Sequence, residues 1–185
     1  LELICRHPET LRAAIVHEPA LIALDPNPQA GMDAMGPLFE LAARDPRAAM
    51  GAFIRFVTNP TALEALSPEH RERLLANGEH FFGAEIDAFA TYLPDAPRVA
   101  AGIPIRLLIS SAGPPADDGI LPWFEQQLGL RPGRVSGHHA PYFDQPEVFA
   151  EELRPLLREQ WADATGQTNR RRALPCSSIA GWGCE

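Results

Sequence analysis

Lysine is missing from this chain. All 16 basic residues are arginine, which points to a codon bias toward GC-rich arginine and alanine codons more than to any function. Cysteine is sparse: Cys5, Cys176 and Cys184 are odd in number and show no metal-ligand spacing, so neither a disulfide framework nor a metal centre is expected. No apolar run reaches the length of a membrane span, and the first residues carry no basic-then-apolar signal pattern. The net charge of −8 argues against a general nucleic-acid binder. These absences leave a soluble protein in a cytoplasmic setting as the default, with neither a membrane nor a nucleic acid as partner.

What is present fits one globular domain, or one domain with an insertion: 185 residues, of which 45% are hydrophobic and 22% charged. Residues 1–7 read as the end of a helix already under way, and the first residue is Leu1 rather than Met. The expectation is that an N-terminal part of a parent protein is absent. Residues 11–17 form a short apolar run between turn signals, as expected of a strand buried on both faces of a parallel sheet. From about Gln29 to Phe89 the pattern is helical. Met35, Leu38, Phe39, Leu41 and Ala42 recur at helical spacing, while Asp45-Pro46 and Ser67-Pro68 read as N-caps with proline in the first turn. Pro94-Asp95-Ala96-Pro97 closes this block.

Residues 103–109 are the second strand candidate, residues 121–128 a helix ended by Gly129, and residues 133–136 a weak third strand. A last helix starts near Pro146, with Asp144 as its cap, and carries Val148, Phe149, Leu153, Leu156 and Leu157 on one face. Strand, helical insertion, strand, helix, strand, helix is the alternation of a doubly wound α/β sheet. The stretch from Ala162 to Glu185 has no periodicity and reads as disordered.

The chemistry concentrates in the loop Ser136-Gly137-His138-His139-Ala140-Pro141-Tyr142-Phe143-Asp144-Gln145-Pro146, which follows the third strand and precedes the last helix. Read alone, a loop histidine is more often a hydrogen-bonding residue than a catalytic one. His138, His139 and Asp144 also suggest a metal, but adjacent histidines diverge, which argues against it.

Gly137-His138-His139-Ala140-Pro141-Tyr142, followed by Gln145-Pro146-Glu147-Val148-Phe149, resembles the C-terminal signature of α/β-hydrolases. The resemblance covers about residues 1–160. Residues 1–23 resemble the end of helix C and strand six, residues 24–97 a helical cap, and residues 98–160 the C-terminal part of the core, with residues 161–185 as a tail. The resemblance implies a cofactor-free enzyme in which His139, rather than His138, is the general base. It would act on a small-molecule substrate with a small apolar ester, lactone, epoxide or similar bond.

The family elbow G-x-S-x-G is absent. Ser67, Ser110, Ser111, Ser136, Ser177 and Ser178 all lack glycines at both −2 and +2. The chain therefore resembles a C-terminal fragment that is inactive alone, its nucleophile lying upstream of Leu1. Most family members carry the orienting acid after strand seven, where Asp117 and Asp118 stand a little late. A minority, including haloalkane dehalogenases, carry a glutamate after strand six, where Glu18 stands. Glu18 is the favoured acid, with Asp117 or Asp118 as the alternative. Asp117-Asp118 also reads as an ordinary helix N-cap, and Glu18 as a salt-bridge or capping residue.

Phe53, Phe56, Phe81 and Phe82, with Asn77 and His80, are candidates to line a substrate pocket, although most are expected to pack the helices together. Trp123 stands above the site or, more simply, in the core. A second reading makes the chain a non-catalytic partner-binding or remnant fold, self-associating through an unpaired sheet edge at residues 11–17.

Overall fold

Short apolar runs spaced by helices produce a parallel three-stranded sheet in the order β1-β2-β3. The computed structural model describes residues 1–113 and 119–172. Asp117, Asp118 and residues 173–185 lie outside them.

Helix α1 (Glu2–Arg6) leads through a 3₁₀ turn (Pro8–Thr10) into β1 (Ala14–His17). Strand β2 (Ile105–Ser110) pairs with β1 from Ala14↔Ile105 to His17↔Leu108, and β3 (Gly133–Val135) pairs with β2 from Leu108↔Gly133 to Ser110↔Val135. Both strands start later than the apolar runs at 11–17 and 103–109. The reason is Pro104: it has no amide to donate, so its contribution is the carbonyl that accepts from Ala14 N at 2.9 Å, and the ladder begins there. β1 is not buried on both faces. Among the described residues it is an edge strand, and all four of its residues are only half-buried, whereas β2 is buried from Leu107 onward.

The connection from β1 to β2 is helical throughout, as parallel pairing permits. After a 3₁₀ turn (Ile22–Leu24) come α2 (Pro28–Ala42), α3 (Pro46–Val57), α4 (Ala62–Ala65), α5 (Pro68–Ala76), α6 (Gly78–His80), a π-type turn (Phe81–Glu85) and α7 (Ile86–Thr91). The caps are those the sequence announces. Asp45 accepts from Ala48 N at 2.9 Å and Ser67 from His70 N at 3.3 Å, each contributing about 1 kcal/mol. Asp95 caps the next helix, α8 (Ala96–Gly102), by accepting from Arg98 N.

Two apolar clusters divide the burial. One joins the helices through Met35, Met50, Ile54, Leu63, Phe81 and Ile86, and Phe143 from the far end of the chain packs against it. The other lies at the sheet, where Leu21, Leu107 and Phe124 are buried. Phe124 belongs to α9 (Ile120–Leu128), which ends at Gly129 in the left-handed conformation.

After β3 come α10 (Pro141–Asp144) and α11 (Pro146–Arg172). Asp144 does not cap α11. It accepts a hydrogen bond from the Asn59 side chain, which ties the start of the last helix to the loop between α3 and α4. The helix also runs on through Arg172, into the stretch whose lack of periodicity reads as disordered. Among the described residues, no helix is long and apolar enough to cross a membrane.

Candidate active site

The parallel strands point their C-terminal ends at one place, and the candidate residues meet there. β1 ends at His17, and the next residue, Glu18, has φ 38°, the only positive φ among the described non-glycine residues. A β-carbon makes that conformation costly, by about 1–2 kcal/mol. The position is held because Glu18 N still donates to Leu108 O at 3.0 Å while the side chain turns inward across the sheet end. Its carboxylate is nearly buried, with 6% of the side chain exposed.

Two donors receive that carboxylate. His139 Nδ1 lies 2.8 Å from Glu18 Oε2, and Ser110 N donates to Glu18 Oε1 at 2.6 Å. Burial pushes the Glu18 pKa up, but the His139 and Ser110 hydrogen bonds, with the charges of His139 and His17 behind them, hold it below its ordinary 4.5. A carboxylate can only accept, so His139 carries its proton on Nδ1 and keeps the Nε2 lone pair for an incoming proton.

Two glycines make this approach sterically permissible. Gly113, just beyond β2, lies so close that a β-carbon there would stand 2.2 Å from Glu18 Oε1. Gly137 has φ 100° at the turn that brings the histidine loop back over the sheet, and a β-carbon there would meet Pro141 Cβ at 2.9 Å. Ala112 N donates to Gly137 O and His138 Nδ1 to Ala112 O, so the loops after β2 and β3 fasten to each other. His138 is thus a loop fastener, and His139 is the residue that faces Glu18.

Sequence reasoning passed over His17 and Ser110. His17 Nε2 is 2.9 Å from Ser110 Oγ, and the Ser110 hydroxyl donates to His138 O. The single hydroxyl proton is committed to the carbonyl, so His17 is the donor of its pair. Ser110 is 5% exposed and its hydroxyl is doubly engaged, which disqualifies it as a nucleophile despite the neighbouring histidine. The His17 and His139 rings stand 6.5 Å apart. Burial holds the His17 pKa below its ordinary 6.5; Glu18 pulls it up and His139 pushes it down. The only sequence signal for His17 was its place next to Glu18.

No family model matches this chain, and no curated protein matches it either.

Above the pair lies a cavity of about 380 Å³ between the sheet end and the helices. Its walls include Ile22, Met35, Phe53, Val57, Phe81, Ile86, Phe89, Ile109, Ile120 and Leu121, and among the described residues its polar side chains are Glu18 and His139. Phe53 and Phe81 line it. Phe56 does not: it is 58% exposed. Phe82 packs edge-on against Phe39, Phe53 and Phe81, and Trp123 packs edge-on against Phe124 beside the sheet core. His80 faces outward and pairs with Glu85, and Asn77 closes α5. The wall residues from Ile22, Met35 and Ile120 were not legible because their neighbours across the cavity come from distant parts of the chain.

A second hollow, of about 330 Å³, opens on the other side of the pair, between β1 and α11. His17, Glu18 and His139 border it together with Ile15, Tyr142, Phe149, Leu153 and Leu157. Among the described residues the outer edge of β1 has no neighbouring strand. No group of three His, Cys, Asp or Glu side chains among the described residues is arranged to hold a metal ion.

Proposed function

We propose that the chain is the C-terminal part of an α/β-hydrolase-type enzyme in which His139 is the general base and Glu18 its orienting acid. The observation that carries this reading is the His139–Glu18 pair standing, among the described residues, as the polar patch in the wall of an apolar cavity. A base needs a free lone pair facing the reacting group, and the Nδ1 contact to Glu18 leaves Nε2 in that state. The cavity favours a small, uncharged, largely apolar substrate: an ester, lactone, epoxide or similar bond.

The nucleophile of this reading stands outside the chain. Ser110 is engaged and buried, Ser67 caps α5, Ser136 is bound to Glu152, and Ser111 lacks a base beside it among the described contacts. In the complete enzyme, His139 Nε2 would take the proton of the nucleophile, or of the water that attacks the intermediate, and Glu18 would stabilise the imidazolium that forms. The helices from α2 to α7 would act as the cap over the substrate.

The test is hydrolysis of p-nitrophenyl acetate and butyrate. This chain should show background turnover, unchanged by His139→Ala. A longer form carrying a nucleophile elbow should turn over, and there His139→Ala should reduce kcat by about a thousandfold or more. Turnover by this chain that disappears with His139→Ala would overturn the assignment of an external nucleophile.

The unpaired outer edge of β1 favours a second reading, a non-catalytic fold that pairs with another chain along that edge. Size-exclusion chromatography separates the two. A monomer that survives concentration and unfolds cooperatively would count against the second reading.

A further inference from the structure

We infer that Ser110 is the positioning residue of the His139–Glu18 pair, acting on both partners at once. The inference rests on the proposed role of that pair and adds what fixes its geometry.

Ser110 is the last residue of β2, and its peptide group and side chain do different work. Its amide donates to Glu18 Oε1 at 2.6 Å, which anchors the acid. Its hydroxyl donates to the carbonyl of His138, the residue directly before the base. The acid comes from the loop after β1 and the base from the loop after β3, so β2 is the element between them, and its final residue is the one that touches both. His17 completes the arrangement by donating to the same hydroxyl at 2.9 Å, which leaves the hydroxyl proton a single direction, toward His138 O.

This explains why a serine stands at a buried strand end. Alanine would fill the site sterically but would leave the His138 carbonyl and the His17 N–H, both half-buried, without their partner. The loop of His139 is otherwise fastened through Ala112 by backbone and His138 contacts, through Ser136 by Glu152 and through Asp144 by Asn59. The hydroxyl is the contact that sets the height of the loop against Glu18.

The experiment is ¹⁵N and ¹H NMR of the histidine side chains in this chain at neutral pH. In the wild type, His139 should show the Nδ1–H tautomer with a slowly exchanging proton. In Ser110→Ala the signal should shift toward a tautomer mixture, and the proton should exchange about tenfold faster or more. Ser110→Thr keeps the hydroxyl and should keep the tautomer, even if the added methyl lowers stability. If Ser110→Ala does not fold, Ser110→Cys, with its weak donor, should give an intermediate loss. An unchanged His139 signal in folded Ser110→Ala, or in Ser110→Cys, would overturn the role of Ser110 while leaving the pair intact. A wild-type His139 without the Nδ1–H tautomer would instead overturn the pair itself.

Discussion

His139 and Glu18 stand 121 residues apart in the chain, yet His139 Nδ1 lies 2.8 Å from Glu18 Oε2. The contact crosses the end of the sheet, from the loop after β3 to the loop after β1. It requires a glutamate with positive φ, a glycine at 113 that leaves room for the carboxylate, and a turn at Gly137. A strained residue with a nearly buried carboxylate is a costly feature, and its one evident return is the imidazole it holds in a defined tautomer.

Acid should weaken the fold in two stages. The folded-state pKa of His17 lies below 6.5, so in the window just under that value the unfolded chain binds more protons, and stability falls as pH drops through it. The folded-state pKa of Glu18 lies below 4.5, so the stability it contributes is complete above that value and is lost as pH falls further. Urea midpoints measured from pH 8 to pH 3 should show both stages. His17→Gln should remove the first, and Glu18→Gln should reduce the second. Glu2, Glu64 and Glu152 will leave a residue of the second stage, since their pKa values are lowered too, by hydrogen bonds in well-solvated positions.

Gly113→Ala should damage the site more than a single methyl suggests. The new β-carbon would meet the Glu18 carboxylate, which is pinned by two donors and cannot swing away without releasing one. The expected cost is about 1–3 kcal/mol. Loss of the protected Nδ1–H signal of His139 should accompany it. Wild-type stability together with a retained signal would show that the carboxylate has room the geometry denies.

The two phenylalanines on α3 and its neighbour should respond very differently to truncation. Phe81 is 6% exposed, meets Phe53 and Phe89 in tilted ring contacts and forms part of the cavity wall, so Phe81→Ala should cost about 3–5 kcal/mol. Phe56 is mostly exposed, and Phe56→Ala should stay within about 0.5 kcal/mol of wild type. Denaturant unfolding of the two variants checks the contrast. Equal losses would mean that Phe56 is buried in solution.

The sequence by itself determined the local elements. The proline-led caps at Asp45 and Ser67 set helix starts, the apolar runs around Ile15 and Leu107 set the first two strands, and Gly129 set a helix end, because each depends on neighbours within a turn or two. The histidine loop was legible for the same reason, as a compact group of turn residues between a strand and a helix. Only the tertiary structure decided that β1 is half-buried, that Phe53 and Phe81 face the cavity while Phe56 faces water, and that Asp144 binds Asn59 instead of capping α11. Ser110 and His17 belong to this second group. Neither has a local pattern, and their meaning comes from the parallel register that sets the ends of β1, β2 and β3 side by side. A one-dimensional pattern records which face a residue prefers; which distant residue waits on that face is settled by how the strands pair.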